Sequence, residues 1–196
     1  MMVRKLKIMA NVKKIFSKFI SSKVDVRKIV SEHYNTLYNY RKGDKKKDKK
    51  DIFTFFGIPF IISVILVFLS KGSLESSITD SILISLSIFT PILFSLLVAI
   101  YSINRERLKK KKVYKVIKEF KANVSFTIII SLITIFFTVI YSMNIWGDYY
   151  YLSVLSFIII FLVGIIGLTL LQILKRWNYL LDETLREIEP EKEKIL

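Results

Sequence analysis

The sequence predicts an all-α integral membrane protein: a four-transmembrane-helix bundle with amphipathic N-terminal cytoplasmic helices. Three observations carry this expectation. First, 24% of the 196 residues are charged, yet four long stretches contain no charged residue: Ile52–Ser70, Ser81–Asn104, Ala122–Gly147 and Tyr149–Leu174. About 20 apolar residues at 1.5 Å each cross the roughly 30 Å hydrocarbon layer, so runs of this length read as transmembrane helices. Second, residues 1–51 carry 16 Lys/Arg against 5 Asp/Glu, and residues 104–121 carry 9 against 2. Third, these two blocks and the tail 175–196 lie on one side of the four runs and hold all but one of the 31 Lys/Arg. The positive-inside rule assigns that side to the cytoplasm. The expected location is the plasma (inner) membrane, multi-pass, with both termini cytoplasmic.

Three regions follow: basic cytoplasmic helices and a linker over 1–51, a four-span domain over 52–174, and a cytoplasmic helical tail over 175–196. Within the first, residues 3–20 alternate Arg4, Lys7, Asn11, Lys14 and Lys18 with Ile8, Val12, Ile15, Phe16, Phe19 and Ile20 at helical steps. Such a basic amphipathic helix either lies in the headgroup plane or packs its apolar face on neighbouring helices. Ser21-Ser22 breaks the pattern. A second helix starts near Asp25, carries the stripe Val26, Ile29, Val30, His33, Tyr34 and Leu37, and ends before Gly43. The lysine-rich stretch 45–50 is a solvated or headgroup-level linker, and Asp51 is placed to cap the first span. The first long apolar run begins only at Ile52 and has no small-residue cleavage site after it, so it reads as an uncleaved anchor.

The expected spans are about 52–70, 78–103, 122–143 and 152–174. Pro59 lies two turns into the first and Pro91 near the middle of the second. A proline removes one backbone bond, so each is a static kink or a hinge. Ser87 and Thr90 are near enough to satisfy the carbonyl that Pro91 frees. The basic loop 104–121 reads as helical, with Leu108, Val113, Val116, Ile117 and Phe120 spaced among its lysines. Trp146 and Tyr149–Tyr151 mark the outer boundary, and Trp177 and Tyr179 the inner one. Beyond Lys175-Arg176 the last helix continues into the tail, with an Asp182–Arg186 pair at i,i+4, and Pro190 ends it.

The residues that carry chemistry are few. There is no cysteine, and the single histidine, His33, has no second histidine or carboxylate at metal-ligand spacing. It reads as a packed or partly exposed side chain. No phosphate-binding loop or zinc-hydrolase motif occurs. No cofactor or metal is expected, and the chain is not read as an enzyme. None of the four uncharged runs contains Asp, Glu, Lys, Arg or His, and Asp80 lies at the outer end of the second span, whereas ion-coupled carriers and voltage sensors place such groups at membrane depth. The two hairpins show no internal repeat of the kind found in secondary transporters.

The spans carry hydroxyl groups instead. Asn123, Thr127, Ser131, Thr134 and Thr138 recur at steps of 4, 4, 3 and 4 on one helix face. Ser81, Ser85, Ser95 and Ser102, with Ala99, share a face of the second span. Such stripes are either interhelical packing surfaces or, in an oligomer, the lining of a water-filled path. Gly164 and Gly167 are three apart rather than four, and read as a close-packing site. On the cytoplasmic side, Arg105, Arg107, Lys109, Lys110, Lys111, Lys112, Lys115, Lys118 and Lys121 form a compact basic strip. Anionic lipid headgroups explain it, at about 1 kcal/mol per juxtamembrane cation. A cytosolic partner protein, or a nucleotide or oligonucleotide ligand, is the alternative.

Two passages, Leu86-Ser-Ile-Phe-Thr-Pro-Ile-Leu-Phe-Ser-Leu-Leu-Val-Ala-Ile-Tyr101 and Leu170-Leu-Gln-Ile-Leu-Lys-Arg-Trp-Asn-Tyr-Leu-Leu-Asp-Glu183, follow a basic N-terminal segment in a four-span layout. Together they resemble the small four-span membrane effector proteins of prokaryotic anti-phage defence systems. The resemblance implies an effector that perturbs membrane integrity or potential when a cytosolic signal arrives, and it transfers no functional residue; a homo-oligomer is expected. The other expectation is a non-conducting anchor or adaptor that docks a cytosolic partner through residues 1–50 and 105–121.

Overall fold

The computed structural model describes residues 26–36, 49–102, 111–143 and 149–192, and these form five helices. They are α1 (Val26–Thr36), α2 (Lys49–Leu69), α3 (Ser76–Tyr101), α4 (Lys111–Ser142) and α5 (Tyr149–Lys192). No strand occurs among the described residues. The amphipathic helix expected over 3–20, most of the lysine-rich linker and Trp146 lie outside them.

Three helices contain segments long and apolar enough to cross a membrane: Ser76–Ile100, Val113–Ser142 and Tyr149–Asp182. They suggest a membrane protein. In hydrocarbon every backbone N–H and C=O must be satisfied within the segment, which is why uncharged runs of this length become helices. The apolar part of α2, Phe53–Leu69, is shorter, about 25 Å of helix against a hydrocarbon layer of roughly 30 Å. At the other extreme α4 and α5 have 32 and 44 residues, or about 48 and 66 Å. Both therefore project well past the apolar zone at their basic ends.

The helices pack as an open series. Helix α4 packs against α3, α5 and α1, and α5 also packs against α2. Helices α2 and α3 are joined by residues 70–75 alone, yet they do not pack on each other. The spatial order is α2–α5–α4–α3, with α1 on α4. Helix α4 is the centre: 44% of its apolar window is buried, against 28% for α5 and 17% for α3. Helix α2 buries a single line, Phe55, Pro59 and Ser63, and turns Phe60, Ile61, Ile65 and Phe68 outward. An outward surface this apolar suits lipid rather than water.

The connector explains the open order, because it is stretched across the ends of α4 and α5. Helix α2 ends with Lys71 and Gly72 in the left-handed region, at φ 51° and 82°. The Gly72 N–H donates to Val67 O at 2.9 Å, satisfying one of the last helical carbonyls. Gly72 is buried, and a Cβ there would strike the side chains of Tyr149 and Ser153. Three side chains then hold the strand of connector down. The Leu74 N–H donates to the Tyr141 hydroxyl at 2.7 Å, and that hydroxyl donates to Leu74 O at 3.1 Å. The Tyr149 hydroxyl donates to Lys71 O, and Ser156 Oγ donates to Gly72 O at 3.4 Å. The substitution Tyr141→Phe should therefore speed amide exchange at Leu74 while leaving α1 protected, at a cost of about 0.5–1.5 kcal/mol. Hydrogen-exchange mass spectrometry checks it.

Several local expectations change. Helix α2 starts at Lys49, so Asp51 lies in its first turn instead of at the cap. Helix α5 runs two residues past Pro190, since a proline in a last turn removes only one backbone bond. Both internal prolines lie within unbroken helices. The Thr90 hydroxyl donates to Leu86 O at 2.7 Å, one residue before the carbonyl that Pro91 frees. The usual i−4 acceptor wins over the i−3 one. Asp182 is exposed, and the side chain of its expected partner Arg186 lies outside the described residues.

Candidate functional site: a buried polar node at the basic end

The α4 hydroxyl stripe is wholly inside the protomer. Asn123, Thr127, Ser131, Thr134 and Thr138 are all fully buried. Two apolar clusters flank it. One joins Leu93 and Ile100 of α3 with Phe120, Val124 and Ile128 of α4 and Ile173 of α5. The other joins Phe55, Phe126 and Ile165. At 100° per residue the stripe falls on the arc between them, along the α4–α5 seam. Thr127, Thr134 and Thr138 each donate back to the carbonyl four residues earlier, at 2.8 Å. Ser131 Oγ is buried without a partner. By contrast, Ser81, Ser85, Ser95, Ala99 and Ser102 of α3 are all exposed.

The basic strip is described only from α4 onward. Arg105, Arg107, Lys109 and Lys110 lie outside the described residues, and Lys111 and Lys112 begin the helix. Lys115 and Lys121 are half-buried and Lys118 is exposed, at three-residue steps along one side of α4. Pro59 is buried against Gly164 of α5, whereas Pro91 is exposed.

The most specific arrangement lies where the uncharged runs of α4 and α5 meet their charged extensions. Helix α1 turns His33 and Thr36 into the protein, both buried. The His33 ring stacks on Phe126 at 3.8 Å between centroids and 2° between planes, and leans on Phe55 at 5.3 Å. Its Nδ1 is 3.0 Å from Asn123 Oδ1. With the amide oxygen toward the ring, Nδ1 carries the proton and Nε2 is bare. Nε2 is buried and has no partner. The Thr36 hydroxyl lies 2.8 Å from the same Asn123 oxygen and 2.7 Å from His33 O, sharing one proton between them. Asn123 Nδ2 donates to Gln172 Oε1 at 3.3 Å, which extends the node to α5. One turn on, Arg176 Nη2 donates to Thr36 O at 3.1 Å, taking up one of the carbonyls left open at the end of α1. Arg176 Nε pairs with Glu119 Oε2 at 3.3 Å.

Burial pushes the His33 ring down to about 4 from an ordinary 6.5, against the hydrogen bond it donates to Asn123 Oδ1, which raises it; the Arg176 charge lowers it further. The histidine is therefore neutral near pH 7. Helix α1 thus touches three other helices through side chains, although its backbone packs on α4 alone. Among the described residues no group of three His, Cys, Asp or Glu could hold a metal ion. The node binds protein to protein, and it presents no nucleophile beside a base.

Sequence reasoning singled out His33 and Asn123 separately and did not join them. Gln172, Glu119, Thr36 and Arg176 were not marked. The available signal was positional: Asn123 heads the hydroxyl stripe at the start of one uncharged run, and Arg176 follows the end of another. Comparison with family models, curated proteins and solved structures finds no match to the chain.

Proposed function

We propose that this chain is a non-enzymatic, oligomeric membrane effector with four spans and both termini in the cytoplasm, of the kind used in anti-phage defence. In this reading α2 is the fourth span, and local thinning of the bilayer accommodates its short apolar zone. The basic end faces the cytoplasm, as the positive-inside rule demands. From Asn123 to Tyr141 is about 27 Å of helix, close to the hydrocarbon thickness, so the node and the pinned connector sit at the two boundaries.

The observation that carries the reading is the node. A helix of 11 residues is marginal on its own, so the state of α1 depends on the ends of α4 and α5, and theirs on it. A cytosolic signal acting at the basic face then reaches the spans through His33, Thr36, Asn123 and Arg176. The exposed small-residue face of α3 is suited to close contact with another copy. Triggered expression in cells loaded with a potential-sensitive dye should collapse the membrane potential before growth stops. A potential that holds through a growth arrest dependent on this protein sinks the reading.

The burial of the α4 stripe favours a second reading. Its hydroxyls are used within one protomer, which suits a non-conducting anchor or adaptor that docks a cytosolic protein on its basic segments. In that case deletion of residues 1–50 should release the partner and leave ion flux unaltered.

A further inference from the structure

We infer that α1 is a proton-sensitive latch: it is clamped onto the basic ends of α2, α4 and α5 while His33 is neutral, and it is released when His33 takes up a proton. Three features of the geometry converge on this. The first is where the second proton must go. Nδ1 is already engaged by Asn123, so protonation occurs at Nε2, which is buried without an acceptor. An imidazolium there would carry an unpaired N–H in an aromatic slot between Phe55 and Phe126, and a buried charge without a partner is costly.

The second feature is the charge carried by the helices that pack around the ring. Helix α5 brings Lys175 and Arg176, α4 brings Glu119 and Lys121, α1 itself carries Glu32, and α2 offers Phe55 and Phe56. Of these, Arg176 acts on the ring and opposes a second positive charge. The carboxylate that could offset it, Glu119, is already paired with Arg176.

The third feature is that polar bonds of α1 gather at one place. Ile29 and Tyr34 are partly buried, while Val30 points outward. His33 and Thr36, one turn apart, join α1 to Asn123 of α4 and Arg176 of α5. A set of bonds gathered beside one titratable group is suited to two states.

The sign follows from linkage. The ring titrates near 6.5 when free and near 4 when docked. Docking is therefore unaffected above 6.5, weakens as pH falls through the free value, and reaches its new limit below 4. The docked-to-released ratio should drop about tenfold between pH 7.5 and 5.5.

The test uses the full chain in lipid nanodiscs. The absence of cysteine allows two introduced spin labels, one replacing exposed Val30 of α1 and one replacing exposed Leu132 of α4. Pulsed dipolar distances are then measured from pH 8 to 5. The wild-type distribution should gain a longer component as pH falls below 6.5. In His33→Phe, which keeps a ring for Phe126, the distribution should not change with pH. In Asn123→Asp, a carboxylate facing the ring should hold the imidazolium and keep α1 docked at pH 5.5. A wild-type distribution that is constant from pH 8 to 5 overturns the latch, as does an equal shift in all three proteins. The step from release to membrane activity rests on the effector reading above. Docking does not, so the distance measurement and the potential measurement can fail separately.

Discussion

Replacing Asn123 by Leu should undock α1 and destabilise the protein by about 2–4 kcal/mol, because buried polar groups left without partners cost about 1–3 kcal/mol each. The side chain is fully buried and joins three partners: His33 at 3.0 Å, Thr36 at 2.8 Å and Gln172 at 3.3 Å. Leucine matches its size but can neither accept from the first two nor donate to the third. The ring N–H of His33 would then face a methyl group, and α1 would lose its main polar anchor on α4. Two readouts separate the local event from the global one. Amide exchange over Val26–Thr36 should rise to that of an unprotected segment, and the melting temperature in detergent should fall. The control is Asn178→Leu on exposed α5 surface, expected within about 0.5 kcal/mol of wild type. If α1 keeps its protection in Asn123→Leu, the node does not hold it. A normal melting temperature with α1 exchanging freely places the whole effect in docking.

The sequence carried the helix types well, for a physical reason. Absence of charge over 18 residues or more is a one-dimensional property, and hydrocarbon forces such segments to be helical whatever surrounds them. The same holds for faces. Steps of 4, 4, 3 and 4 put Asn123, Thr127, Ser131, Thr134 and Thr138 on one side of α4, and all five are buried. Spacing alone does not say which neighbour that side meets. Two stripes of similar composition end in opposite places: the α4 stripe is in the α4–α5 seam, and the α3 serines are exposed. What separates them is the packing order of helices, which a single-helix pattern does not contain.

That order depends on distant residues. Helices α2 and α3 read as a hairpin because so short a connector joins them. They are held apart because Tyr141, Tyr149 and Ser156, from further along the chain, draw residues 71–74 over the ends of α4 and α5. The node is the same case. Its bonds join residues 87, 90 and 140 positions apart. His33 reads as inert in the sequence because no ligand set or catalytic partner lies near it. Its partner was a neutral amide on another helix, which no spacing rule flags. The basic strip was legible as charge, and only Lys115, Lys118 and Lys121 of it can be placed with their side chains.

Adding one methyl group at Gly164 should loosen α2 from the rest of the molecule, whereas adding one at Gly167 should not. A Cβ at Gly164 would lie 2.9 Å from Pro59 Cβ and 3.4 Å from Pro59 Cα. The proline ring is closed onto its own backbone and cannot rotate away, so the helices must separate. Overpacking of this kind costs about 1–3 kcal/mol, and Gly164→Val should cost more than Gly164→Ala. Gly167 has nothing within 4 Å of the same position. There, alanine should be neutral or stabilising by up to about 1 kcal/mol, since glycine is the poorer helix former. The open packing order makes the consequence local. Helix α2 is the end of the series and its backbone packs on α5 alone, with Phe55 reaching α1 and α4 at one end, so Gly164→Ala should raise amide exchange in α2 while α3 and the α4 core keep their protection. A closed ring would instead spread the strain to α3. Removing the ring on the other side of the contact, in the double variant Pro59→Gly/Gly164→Ala, should recover part of the loss caused by Gly164→Ala. Additive losses in that pair, or equal effects at Gly164 and Gly167, would show that the α2–α5 seam is not set by this contact.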